Sequence, residues 1–197
     1  LIDSKVIGVQ NSIDQFFYED NGKKYMFWGS FRGIYATELT DNGLEIKKKT
    51  DGTPVLKKRI CGNRFEGTNI YKRGEYYYLF ASIGTCCNGA TSTYQTVVGR
   101  SKNVLGPYLD KTGRDMLYDY CEIIMSGNET WAGPGHNSIL IQDDVGTDWI
   151  IYHGYKKKEA ENGRYVLMDK LIWSNDGWPS VKSNAPSILE VAPYFQK

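Results

Sequence analysis

The sequence predicts an all-β protein built from repeated antiparallel modules, and three observations carry that expectation. Gly-, Asn- and Asp-rich turn signals recur at short intervals, with 21 Gly in 197 residues. Aromatic residues reach 14%, including 15 Tyr and 5 Trp, and flat rings suit pleated surfaces. Between the turns lie alternating or aromatic runs, and none keeps a 3.6-residue apolar period long enough for a sizeable helix. The runs also repeat. Three polar residues at module heads, Asp14, Glu66 and His136, stand 52 and 70 residues apart. A repeat of that size made of antiparallel strands matches a β-propeller blade.

Module one begins near residue 12. Residues 12–18 form its first strand, Glu19-Asp20-Asn21-Gly22-Lys23 its turn, 24–30 an aromatic strand and 33–39 a return. Module two begins near residue 64 with Arg64-Phe65-Glu66-Gly67-Thr68-Asn69-Ile70, turns at Arg73-Gly74 and continues through Tyr76-Tyr77-Tyr78-Leu79-Phe80. It returns over 97–101. Module three begins near residue 133, turns at 143–148, and runs through Trp149-Ile150-Ile151-Tyr152-His153-Gly154 and then 165–173. The longer connections, roughly 84–93 and 110–131, read as irregular loops. The first is small and polar, and with Ser92 and Tyr94 it suits the lining of a cleft. The second packs over sheet edges. No Pro- or Ser-rich linker divides the chain, so one domain over 1–197 is expected.

Bulk properties exclude several functions. There are 24 Lys and Arg against 23 Asp and Glu, a net charge of +1, which gives no electrostatic case for nucleic acid. No apolar run is long enough to span a membrane. No signal peptide is visible, and the chain opens at Leu1, which reads as a mature product or a fragment. The four cysteines lack metal-ligand spacing. Cys86 and Cys87 are adjacent, and because the small ring joining them would be strained, free thiols are expected. P-loop, dinucleotide-binding and serine-nucleophile motifs are absent.

Two carboxylates and a histidine at matched repeat positions are the functional candidates. In a propeller, equivalent positions on innermost strands converge on one mouth. Glycoside hydrolysis needs a protonated acid for the leaving oxygen and a carboxylate that activates water or attacks carbon. Glu66, followed by a Gly that removes steric cover, suits the acid, and Asp14 suits an electrostatic partner. Either one alone is ordinarily a structural carboxylate; the pair at equivalent positions is the signal. His136, one of 2 His, reads as a metal ligand, a substrate donor or a packed core group, whereas His153 reads as core. Trp28, Tyr94 and Trp131 are candidate sugar platforms. Ser30, Asn69 and Ser92 are candidate polar contacts to substrate.

These segments resemble glycoside hydrolase family 43. Ser12-Ile13-Asp14-Gln15 is similar to its Ala-Ile-Asp-Pro segment, and Glu66-Gly67-Thr68-Asn69-Ile70 to its general-acid segment. Cys86-Cys87-Asn88-Gly89, Ser92-Thr93-Tyr94, Gly106-Pro107-Tyr108, Gly133-Pro134-Gly135-His136-Asn137 and Gly177-Trp178-Pro179 narrow the resemblance to the arabinan endo-1,5-α-L-arabinosidase branch. The resemblance implies a five-bladed β-propeller, of which about three blades are present, and inverting hydrolysis of α-1,5-linked arabinofuranose. It makes Glu66 the general acid and Asp14 the aspartate that tunes the acid's pKa. It makes His136 the ligand of a largely water-coordinated Ca2+ or other cation. It further implies arabinan or arabino-oligosaccharide as partner and a secreted, periplasmic or cell-surface location.

Gln15 departs from the family's proline. The general base, an Asp on an earlier blade, has no counterpart ahead of Asp14, since Asp3 lies in an unmatched setting. The expectation is therefore a fragment or one half of a split enzyme, with the missing N-terminal blades on a separate segment or chain. Two other readings stand beside it: an exo-acting α-L-arabinofuranosidase or β-xylosidase, and a non-catalytic arabinan-binding propeller.

Overall fold

The computed structural model describes residues 3–196, and they form an all-β structure with only short helical turns. The chain divides into two compact units, one running to residue 80 together with 99–122, the other comprising 81–98 and the residues from 123 onward.

The chain enters through one helical turn, α1 (Ser4–Ile7). Asp3 caps it by accepting from the amide of Lys5, and Gly8 closes it in the left-handed region. The first sheet follows, with strands β1 (Phe16–Asp20), β2 (Lys23–Trp28), β3 (Ile34–Glu38) and β4 (Lys58–Cys61) in sequential order. Phe16 to Asp20 pair antiparallel with Phe27 to Lys23. The joining residues Asn21 and Gly22 both have positive φ, 49° and 75°, as a tight hairpin matched to strand twist requires. Trp28 packs with Ile7 and Val9.

The second sheet orders β5 (Glu66–Arg73), β6 (Tyr76–Ile83), β7 (Gln95–Ser101) and β8 (Glu122–Met125) in sequence. Most of β5 and β6 is buried on both faces. This explains why β6 reads as a continuous aromatic and aliphatic run rather than an alternation.

The third sheet is centred on β11 (Asp148–Lys156). One side of β11 pairs with β12 (Arg164–Lys170); the other pairs with β10 (Ile141–Gln142) near its start and β9 (Trp131–Gly135) near its end. A two-stranded ribbon, β13 (Ile172–Trp173) and β14 (Pro179–Ser180), follows. Each of the three main sheets thus has four strands.

Two expectations need correction. The stretch 110–131 is not wholly irregular, because β8 lies within it and completes the second sheet. Cys86 and Cys87 are not free thiols but are joined in a disulfide. Cys61 and Cys121 are free.

Candidate active site

Glu66 opens β5 and is 7% exposed. Three chain segments meet around it within the first unit. Ser30 Oγ donates to Glu66 Oε2 at 2.7 Å. The amide of Gly67 donates to Asp14 Oδ2 at 3.3 Å, so the two candidate carboxylates are linked through one peptide unit. The Ser30 backbone is itself pinned, because Asn11 Nδ2 donates to its carbonyl at 2.7 Å. Its neighbours are fixed as well, with Gly29 N bonding Ile13 O at 2.9 Å and Phe31 N bonding Phe65 O at 3.0 Å.

This stitching demands unusual backbone. Asn11, Asp14 and Phe31 have φ of 54°, 57° and 50°, beside Gly29 at 123° and Gly67 at 64°. A left-handed conformation costs a non-glycine residue roughly 1–2 kcal/mol, and such residues concentrate at functional sites. Gly29 is required: a Cβ there would lie 2.2 Å from the carbonyl oxygen of Gly33.

Further along β5, Asn69 is 3% exposed. Its Oδ1 and the Oγ1 of Thr68 are buried without a hydrogen-bond partner among the described residues. Buried acceptors of this kind are normally satisfied, and both atoms are closed off from solvent. Trp28 has a different place from the one expected. It is 2% exposed, and its Nε1 donates to Ser12 Oγ at 3.2 Å. A ring packed on this scale presents no face to a sugar.

The remaining candidates belong to the second unit. Ser92 closes the disulfide turn, accepting from Asn88 N at 2.9 Å and donating to Cys86 O at 3.4 Å. Tyr94 is 1% exposed and stacks on His153 with ring centroids 5.8 Å apart, so its faces too are occupied by packing. Close approach is possible because β9 carries glycines: a Cβ at Gly135 would sit 2.4 Å from Tyr94 Cδ1, and one at Gly133 2.6 Å from Ser92 Cβ. Trp131 lies in the same strand, 9% exposed.

His136 follows β9 with φ 51°, exposed, its amide bonded to Ser82 Oγ at 2.7 Å. Its ring lies 6.2 Å from that of His153. Arg164 Nη1 lies 3.2 Å from His153 Nε2; because guanidinium only donates, that nitrogen is the acceptor. Burial, the Arg164 charge and His136 push His153 down to about 4. Among the described residues no three His, Cys, Asp or Glu side chains converge. His136 brings one nitrogen where calcium takes oxygens. These residues do not by themselves fit the cation implied by the resemblance.

Comparison with known proteins decides the family, since the profile of Glycosyl hydrolases family 43 matches residues 2–179. The chain belongs to glycosyl hydrolases family 43. It is 36% identical over 182 residues to an extracellular exo-α-(1→5)-L-arabinofuranosidase of Cellvibrio japonicus, covering 87% of this chain and 52% of that protein. It is 35% identical over 173 residues to an extracellular endo-α-(1→5)-L-arabinanase of Bacillus subtilis, covering 86% and 50%. The solved α-L-arabinanase of Cellvibrio cellulosa in complex with arabinohexaose superposes with a TM-score of 0.72 at 34% identity, covering 87% of this chain and 57% of that one. The chain therefore spans about half the length of the family 43 relatives it matches.

Asn11 and Arg164 are the residues that sequence reasoning missed. Asn11 carries a usable signal, an Asn just ahead of the candidate Asp in a segment that needs a left-handed turn. Arg164 carries none, since its role depends on the pairing of β12 with β11.

Proposed function

We propose that this chain contributes the general acid of an arabinan-hydrolysing family 43 enzyme, and that its three four-stranded sheets are three blades of a five-bladed β-propeller. The observation that carries the reading is the linked pair at the head of β5. Glu66 is buried and held by Ser30, with Asp14 bonded to the next amide. In the inverting reaction Glu66 gives its proton to the leaving glycosidic oxygen as the bond to the anomeric carbon breaks. Water attacks that carbon from the opposite face, and its proton passes to a second carboxylate acting as base. Asp14 is the neighbouring charge that orients the acid and the sugar. The base comes from the part of the propeller that these 197 residues do not span.

Linear α-1,5-arabinan is the substrate this reading favours, supported by the activities named for the relatives. Both exo and endo action occur among those names, and the product profile on linear arabinan separates them: single sugars or uniform short products for exo, a ladder for endo. Secretion is supported by the word extracellular in both names and by the Cys86–Cys87 disulfide, since disulfides persist in oxidising compartments.

The test is Glu66→Ala in the full-length protein, followed by reducing-sugar release from linear arabinan. Loss of a general acid costs roughly 10²–10⁴-fold in turnover, with sugar binding largely kept. Unchanged turnover would remove Glu66 from the mechanism.

A further inference from the structure

The end of the second sheet away from Glu66 carries a cleft that hydrolysis does not use. β5 runs for 8 residues from Glu66, about 25 Å at roughly 3.3 Å per residue, before the turn at Gly74. β6 leaves that turn at Tyr76. Beside Tyr76 lies a cavity of about 510 Å³ lined by Tyr76, Arg100, Lys102, Asn103, Pro107 and Lys111 among others.

Its lining carries three cations, Arg100, Lys102 and Lys111, against one acid, Asp110, and the Glu122 carboxylate accepts from the Lys111 amide at 2.8 Å. The Arg100 guanidinium carbon sits 4.5 Å and Lys102 Nζ 5.6 Å from the Tyr76 ring centroid, so the electron-rich ring face gathers two cations. The acid in the lining, Asp110, is already occupied: it accepts from Thr112 N, Thr112 Oγ1, Arg114 N and Arg114 Nε at 2.8–2.9 Å. Lys102 pairs with Glu75 at 3.2 Å, but the two side chains are 68% and 79% exposed. Such a pair contributes little and exchanges readily for another carboxylate.

We propose that this cleft is a secondary binding site for a carboxylate-bearing sugar, a uronate unit of an acidic polysaccharide. Arg100, Lys102 and Lys111 receive the carboxylate, and Asn103 meets ring hydroxyls. The choice of an anion follows from the cleft's charge; the choice of a sugar rests on the polysaccharide reading above. A site about 25 Å from the acid, by the strand rise used above, would hold the enzyme on a polymer that mixes acidic and neutral chains. Tethering of this kind raises the local concentration of the neutral chain at the acid without new contacts to it.

The experiment is calorimetric titration of the full-length protein with tetragalacturonate, arabinotetraose and inorganic phosphate in separate arms. The expected result is tetragalacturonate binding that weakens as salt rises into the range where surface charges are screened. It should weaken about tenfold or more in a Lys102→Gln, Lys111→Gln double variant, by analogy with losing charge-assisted contacts. Both side chains are exposed, so circular dichroism of that variant should match the parent. Absence of tetragalacturonate binding, equal binding by the double variant, or displacement by phosphate at comparable concentration overturns the proposal. Glu66→Ala should keep uronate binding intact, so failure of the hydrolytic reading and failure of this one are separately visible.

Discussion

Ser30 Oγ reaches Glu66 from a backbone that Asn11 holds, so the acid's position depends on side chains 36 and 19 residues apart along the chain. Glu66 and Asp14 stand out in the sequence as candidates because each occupies a repeated position in a recognisable segment. Ser30 stands out as a polar candidate, but its bond to Glu66 does not, since long-range hydrogen bonds leave no periodic trace. Trp28 and Tyr94 show the converse: aromatic residues look alike in sequence whether they face a sugar or fill a core. Two predictions belong at this scale. Burial raises the Cys121 thiol to about 11, against the opposing charge of Arg64, and burial raises Cys61 well above its ordinary value. Thiolate is the reacting form. Iodoacetamide at mildly alkaline pH should therefore label native Cys121 about a hundredfold more slowly than an unperturbed thiol, and Cys61 more slowly still; rapid labelling read by mass spectrometry would contradict the burial. The second concerns His153, whose folded pKa of about 4 lies below its unfolded value near 6.5. The unfolded state then binds the extra proton first. Stability from this residue is fully present above about 6.5 and is lost as pH falls towards 4. Melting temperatures across that window should fall in the parent and fall less steeply in His153→Phe.

At the scale of elements, the hairpins were readable and the fourth strands were not. Asn21-Gly22 and Gly74 announce turns between runs of fixed alternation or unbroken apolar character. β4 and β8 lack such framing. Lys58 and Arg59 of β4 are exposed and polar, and β8 lies inside a long connection with a short helical turn before it. Strands this short are specified by the neighbour they pair with rather than by their own residues. The glycines of β9 illustrate the same dependence. Nothing local requires Gly135, yet Tyr94 packs directly against it. Gly135→Ala forces the ring or the strand to shift, and overpacking of this kind costs about 1–3 kcal/mol. Thermal or urea unfolding should show that loss. A neutral result would mean that the Tyr94 ring moves aside without penalty.

For the molecule as a whole, recurring turn signals, high aromatic content and a three-fold repeat point to an all-β chain of sheets. The segment that closes the second unit was not foreseen, because residues 186–196 carry no strand pattern. They are held by particular polar contacts instead. Ser187 N donates to both carboxylate oxygens of Asp169 at 3.2 and 3.3 Å, and Tyr152 OH donates to the same carboxylate. Asn128 Nδ2 bonds Pro186 O at 2.9 Å. The Tyr194 amide and carbonyl engage Asp143 and Asp144 at 3.4 and 3.0 Å. Truncation after Pro186 removes the amides that serve buried Asp169 and Asp143. Asp169 keeps Tyr152 OH and Asp143 keeps Val145 N, Thr147 N and Trp149 Nε1, so the loss is that of the tail's own hydrogen bonds, roughly 1–2 kcal/mol, and the melting temperature should drop by about 2–8 °C. An unchanged melting temperature would show that water replaces the tail.

The bond between Cys86 and Cys87 makes the history of a preparation part of its structure. Ser92 grips both sides of the turn that this bond closes. Material folded in a bacterial cytoplasm, or stored with dithiothreitol, would carry two additional sulfhydryls in that turn. Material exported through an oxidising compartment would not. Two batches with the same mass to within two hydrogens could then differ at the residues beside Ser92, and comparisons of ligand affinity between laboratories would need the redox state of the sample stated along with its concentration.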